Sequence, residues 1–367
     1  MPGITPAAIA ILFCLFLCNP LYAQSPGRGD LQSLPAAALP SAAQGAESGG
    51  AESDSQPARS FQTAVRHLFD EEKFDELEVI ASKARSQKER FLGGGWKLFA
   101  FYNTIQGPGS LTSTDALWNA HMERLERWIR AKPESITPRV ALAQAYVRFA
   151  WKARGNGFRD TVSADGWKLF GERVQQARET LENAATAATK DPQWYRDMQT
   201  VALTQGWNRS QADELLQQAS NFEPKYFYFY NAHTTYLLPK WYGEPGDAEA
   251  FAQTIADRLG KPEGDAVYFE IALNDNCCGV KGQLPNLSWD RVKAGFAALE
   301  QLYGSTNHQL NAVAFMAVRQ GDGEFAQQIF GRIGDNWDEA VWGGKVRFDK
   351  SKASLTLSPD AGPGGAR

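Results

Sequence analysis

Histidine and cysteine are scarce, four of each in 367 residues. Any Ser-His-Asp or Cys-His device must therefore draw on His67, His121, His233 or His308. None of these stands in a Gly-x-Ser-x-Gly or His-Glu-x-x-His motif. His67 and His121 fall inside helical patterns, where a surface or packing role is the ordinary one. No catalytic residue, no metal and no cofactor can be named from such a chain. Runs of lysine or arginine are also missing, and the formal net charge is -4. That balance argues against a general nucleic-acid binder and against a segment drawn to an anionic membrane. Gly93-Gly94-Gly95 has no strand before it and no Gly-Lys-Ser/Thr after it. A turn or a close helix contact is expected there rather than a phosphate cradle. Paired carboxylates, such as Asp70 with Glu71 or Glu123 with Glu126, read as solvated helix faces.

Long apolar runs are absent too. The longest stretch of this kind, Ala7 to Cys18, is too short for the ~18–20 residues that span a bilayer. With Leu21-Tyr22-Ala23 as a cleavage site, residues 1–23 read as a signal peptide, although no Lys or Arg precedes the apolar core. A lipoprotein would instead be modified at Cys18, but bulky Leu17 stands where a small residue is expected. The mature chain is expected to be soluble and exported, periplasmic or secreted, with no transmembrane segment. Residues 24–58 are rich in Ala, Gly, Ser, Pro and Gln and hold no aromatic residue. Such a stretch buries too little apolar surface to offset its ordering entropy, so it reads as a disordered linker. Residues 350–367, with their Ser, Gly and Pro, read as a disordered tail. All tryptophans fall between Trp96 and Trp342, which places the packed part in residues 59–349.

What is present is helical periodicity. Asp191 to Ala252 reads as four short helices in two pairs, hinged at Gly206-Trp207, Glu223-Pro224 and Tyr242-Gly243. Pro192 suits a first helical turn, where its missing N–H would be unpaired anyway. Trp194, Met198 and Val201 to Leu203 recur on one face, and Gly206 ends the run. Ser210 is expected to cap the next helix, whose stripe is Ala212, Leu215, Leu216 and Ala219. Pro224 closes it. The dense aromatics Tyr226 to Tyr230 could line a groove, but a core helix is the expected outcome, with polar partners for the tyrosine O–H groups. Thr114 or Ser113 and Asp247 are expected caps of further helices, and Ser163 restarts the chain after the 155–157 glycines.

The spacing Ala212, Leu216, Ala219, Pro224 resembles the second half of a tetratricopeptide repeat, and Pro192 to Pro224 is close to that family's period of about 34. A second match spans 311–330, through Ala314, Ala317, Gly321-Asp322-Gly323, Phe325-Ala326 and Phe330. The Trp-x-x-Leu-Gly-x-x-Tyr opening is absent and repeat lengths vary. The expected fold is an all-α solenoid of antiparallel helix pairs, tetratricopeptide-like with irregular repeats. The stretches AWKARGNGFRDTV at 150–162, DGWKLFGERVQQARETL at 165–181, FEPKYFYFY at 222–230 and LLPKWYGEPGDAEAFA at 237–252 resemble the bacterial domain-of-unknown-function family numbered 4034, over roughly residues 60 to 345. The resemblance implies a tetratricopeptide-like helical fold and no established activity.

Two functions fit. The first is a scaffold whose concave face binds a protein or peptide, since stacked helix pairs make extended surfaces. Candidate binding residues are Trp151, Arg154 and Arg159 near the 155–157 glycines, with Trp241 and Tyr242 in the 239–245 turn. The alternative for Arg154 is a bond to the carbonyl end of its own helix. The second function is an all-helical envelope hydrolase, its cleft formed by the 150–160 loop and the Trp241-Tyr242 turn. Adjacent Cys277 and Cys278 leave a vicinal disulfide, two thiols and an intermolecular bridge all open.

Overall fold

A computed structural model describes residues 50–155, 161–276 and 285–356. Among these every regular element longer than one turn is an α-helix: α1 (Gly50–Asp70), α2 (Phe74–Ser86), α3 (Lys97–Ile105), α4 (Asp115–Ala131), α5 (Thr137–Arg154), α6 (Ala164–Ala184), α7 (Pro192–Gln205), α8 (Arg209–Phe222), α9 (Tyr228–Tyr236), α10 (Asp247–Leu259), α11 (Glu263–Asn276), α12 (Trp289–Tyr303), α13 (Asn307–Gln320), α14 (Gly323–Ile333), the single turn α15 (Glu339–Trp342) and α16 (Lys345–Thr356). Neighbours in sequence pack on each other, most extensively α5 with α6, α11 with α12 and α13 with α14. The expected all-α solenoid of helix pairs is what forms.

Local chemistry sets the helix ends. Pro192 sits at the first position of α7, and the Asp191 side chain accepts from Gln193 N–H at 2.8 Å. Gly206, at φ 70°, ends that helix in the left-handed region, which glycine enters without steric cost. Thr114 caps α4, as expected, and Ser163 caps α6. Two expected caps are corrected. Asn208, not Ser210, caps α8, because Gln211 reaches back to Asn208 N–H and completes a capping box. Gly246 precedes α10, and Asp247 lies in the first turn, where its carboxylate accepts from Glu244 N–H at 3.1 Å.

Two boundaries also differ from the sequence expectation. Helix α1 begins at Gly50, inside the stretch read as linker, and Ala58 within it is buried. Extending a nucleated helix adds one hydrogen bond per residue fixed, so a weakly apolar lead-in can be carried along. Helix α16 runs past Asp349 to Thr356. Its anchor is Phe348, buried with its ring 5.3 Å from Phe330 and 5.4 Å from Trp342.

The core has two apolar clusters. One gathers α1 to α6 with one face of α7, around Phe69, Phe101, Trp118 and Trp128. The other gathers α8 to α16, around Tyr226, Phe229, Phe269, Phe296 and Trp342. Tyr195 packs against both. The aromatics Tyr226 to Tyr230 are all buried, as core. Their polar ends are provided for: Tyr226 O–H donates to Gln193 Oε1 at 2.6 Å, Tyr230 O–H donates to Pro224 C=O at 2.7 Å, and Tyr228 Oη accepts from Trp96 N–H at 3.2 Å.

The segment between α2 and α3 ties the early helices to the late ones. Leu92–Gly94 is a 3-10 turn packed on α12, with Gly93 and Gly94 at φ 77° and 84°. A Cβ on Gly93 would stand 2.3 Å from Gln309 Oε1, so the triple glycine serves close contact. Helix α1 touches α13 as well. Gly243 is tighter still. A Cβ there would lie 1.9 Å from the Leu237 carbonyl oxygen, and backbone cannot give way as a flexible side chain would. Gly243→Ala should destabilise by about 1–3 kcal/mol, the usual cost of overpacking. The reading is a lower urea midpoint at unchanged slope. An unchanged midpoint would show that the turn opens freely.

Candidate functional site

Three helices make an open groove. Its walls are α4, through Asn119, Met122, Glu123 and Glu126, and α6, through Leu169, Glu172, Gln176 and Glu179. Its floor is α5, through Tyr146 and Phe149. The wall residues recur every three or four positions, so each set lies along one helix face. Because α4 and α6 both pack on α5, those two faces are held either side of it. The groove has a volume of about 980 Å³ and is open to solvent.

Carboxylates dominate its charge. Among the described residues Glu126 pairs with Arg130 and Glu172 with Lys168, each at 4.0 Å along one helix. Such exposed pairs contribute little. Among the described residues neither Glu123 nor Glu179 has a basic partner within 4 Å. The one lining cation among the described residues, Arg173, is turned to the floor. Its guanidinium lies 3.3 Å from the Phe149 ring centroid, donates to Phe149 C=O at 2.9 Å and pairs with Asp115 at 3.6 Å. Burial lowers its pKa, with Asp115 opposing.

A second, small cavity of about 20 Å³ lies near Glu270, Arg90, Phe227, Val267 and Tyr303. Glu270 is 9% exposed, and its Oε1 accepts from Gln309 Nε2 at 3.4 Å. Burial pushes its carboxyl up to about 8, against the opposing pull of Arg90. Arg90 is held between aromatic rings, 4.3 Å from the Trp96 centroid and 4.7 Å from that of Tyr303. It donates to Gly94 and Lys225 carbonyls, both at 2.9 Å. The space suits one water-sized group.

The candidate residues fall into two pairs rather than one cleft. Trp151 and Arg154 belong with the first cluster: the Trp151 ring lies 4.9 Å from Phe170, and the Arg154 guanidinium stands 5.5 Å from Trp151 and 5.4 Å from Trp167. Arg154 also donates to Gly155 C=O at 3.1 Å, near the helix-end bond anticipated for it. Lys152 of the same turn pairs with Asp115. Trp241 and Tyr242 sit over the other cluster. Tyr242 stacks on Tyr236 at 5.0 Å and donates to Leu203 C=O at 3.1 Å, fastening the end of α7. The indole N–H groups of Trp151 and Trp241 are buried without an acceptor among the described residues. Arg159, Cys277 and Cys278 lie outside the described residues.

The groove carboxylates and Glu270 were not among the candidates. Glu123 and Glu126 do face solvent as expected, but nothing in α4 alone tells that α6 faces them. Glu270 carries a signal of its own. Val267, Tyr268, Phe269, Ile271, Ala272 and Leu273 surround it in sequence. A helix apolar on every side is buried on every side.

Among the described residues no helix is long and apolar enough to cross a membrane. No curated protein and no solved structure matches the chain. Residues 62–211, which hold the whole groove with Trp151 and Arg154 but neither Trp241 nor Glu270, match the model of the family described as Domain of unknown function (DUF4034), the family the sequence resembles.

Proposed function

We propose that the protein is an exported scaffold that holds a peptide or protein segment in the groove between α4 and α6. The groove itself carries the proposal. It is about 980 Å³, at the upper end of the roughly 300–1,000 Å³ of ligand sites, and it mixes apolar and charged side chains. Export is supported by the apolar stretch Ala7 to Cys18 and the small Ala23 before Gln24. The hydrolase alternative has one observation in its favour, the proton-holding buried carboxyl of Glu270, which acid–base chemistry can use. Its cavity of about 20 Å³ takes a water but no substrate, so the scaffold is preferred.

Gly171 gives the test. It lines the groove, and a side chain there would meet open space. Gly171→Trp should therefore fill the groove and leave the fold intact by circular dichroism. Displayed random peptides would be selected on the full chain and on this variant. Sequences enriched on the native chain should bind the variant at least tenfold more weakly. Enrichment of none, or equal binding to both, would sink the scaffold function.

A further inference from the structure

Resting on the groove as the binding site, we infer that its occupant is a cationic segment: a stretch of chain presenting lysine or arginine side chains to both walls and an apolar side chain to the floor. The walls differ in sequence yet agree in sign. Glu123 and Glu126 stand on α4, Glu172 and Glu179 on α6, and all four line one space. Their charge is only weakly engaged within the fold: Glu123 acts on Arg127 and Glu172 on Arg173, in each case as the smallest influence on the cation. Two have only a basic residue at 4.0 Å on their own helix, and Glu179 accepts from the neutral Gln175 at 2.9 Å. Arg173 offsets them little, because it is 11% exposed and engaged first with Asp115 and Phe149, with Glu172 acting on it least.

Like charges facing each other across a groove repel. Such repulsion acts over a Debye length of about 10 Å at 0.1 M salt. A cation between the walls relieves that repulsion and gains attraction from both sides. An anionic segment would add to it, so the charge pattern also selects against acidic partners. The apolar part of the lining suits the stems of the same residues. Met122 is 7% and Phe149 4% exposed, while Leu169 stands 38% exposed on the α6 wall. Lysine and arginine lay their methylene stems on such surfaces and keep the charged head at the rim.

Three labelled helical peptides of about four turns, identical except for lysine, glutamine or glutamate on one face, would be titrated into the full chain by fluorescence anisotropy. Proteins compared are the native chain, Gly171→Trp, and the combined Glu123→Gln, Glu126→Gln, Glu172→Gln and Glu179→Gln variant, each checked for native helicity. The lysine peptide should bind at least tenfold more tightly than the glutamine peptide, and the glutamate peptide not at all. The combined variant should lose most of that preference, as should raised salt. Equal binding of lysine and glutamine peptides, lost in Gly171→Trp but unchanged in the combined variant, would overturn the cationic occupant and leave the scaffold standing. Lysine-peptide binding that survives Gly171→Trp would overturn it too, by placing the charge effect elsewhere. If none of the three binds while library peptides still require an open groove, the cationic occupant is likewise wrong. Failure of both peptide sets removes the scaffold itself.

Discussion

Asp191→Ala is expected to cost about 3–5 kcal/mol of stability, the usual range when one partner of a buried ion pair is removed. Asp191 is 1% exposed, and its bonds reach Tyr102 of one apolar cluster and, through Gln193, Tyr226 of the other. Its Oδ2 accepts from Arg85 at 2.7 Å and from Tyr102 O–H at 2.6 Å, and its Oδ1 caps α7 through Gln193 N–H. Burial first, then the charge of Asp191, raises the pKa of Tyr102, so the phenol keeps the proton it donates. Alanine at 191 leaves a largely buried guanidinium without its counter-charge and a buried phenol without its acceptor. It also uncaps the helix. The disturbance should spread, because Gln193 joins Asp197 at 2.8 Å and Tyr226 at 2.6 Å. Asp191→Asn keeps the shape and a cap, and should cost less. Urea denaturation of both variants decides the matter. A loss below about 1 kcal/mol for alanine would mean that the network is replaceable by water.

Helix identity was largely legible because it depends on short-range chemistry. Pro192, Gly206, Thr114 and Ser163 act within a turn of where they stand. Asn208 against Ser210 was not decidable that way, since both residues can cap. What decides is a reciprocal bond from Gln211. The tyrosines of 226–230 could be read as core, but their acceptors could not: Gln193 is 33 positions from Tyr226. The groove was hidden for the same reason. The spacing of Glu123 with Glu126, or of Glu172 with Glu179, defines a helix face; which two faces share a space is set by their packing on α5. Trp151 and Trp241 attracted notice as large aromatic residues beside turns. They separate because each is claimed by a different cluster.

Stability should fall steeply as pH rises from about 6.5 to 8, and Glu270→Gln should remove about half of that fall. Burial pushes both Glu270 and Asp197 up to about 8 in the folded chain, against about 4 when unfolded. Each group then holds, in the folded state, a proton that the unfolded chain releases. Its stabilisation is complete below about pH 4 and is lost by about pH 8, at about 1.4 kcal/mol per pH unit. The groups facing Glu270 are Arg90, Gln309 and Tyr228; those facing Asp197 are Arg196, Gln193, Asp191 and Tyr226. His121 works in the opposite sense. Burial first, then Arg66, lowers it to about 3 while its ring bonds the Ile105 carbonyl at 2.9 Å. Below about pH 6.5 the unfolded chain gains a proton there that the folded chain refuses. The histidine therefore offsets one of the two carboxyls between about pH 4 and 6.5, and above that range both act unopposed. Glu270→Gln and Asp197→Asn should each be more stable than the native chain at pH 8, by an amount that shrinks toward pH 5. Urea midpoints across this range give the answer. Parallel pH curves for native and variant chains would show that neither carboxyl carries its proton in the fold.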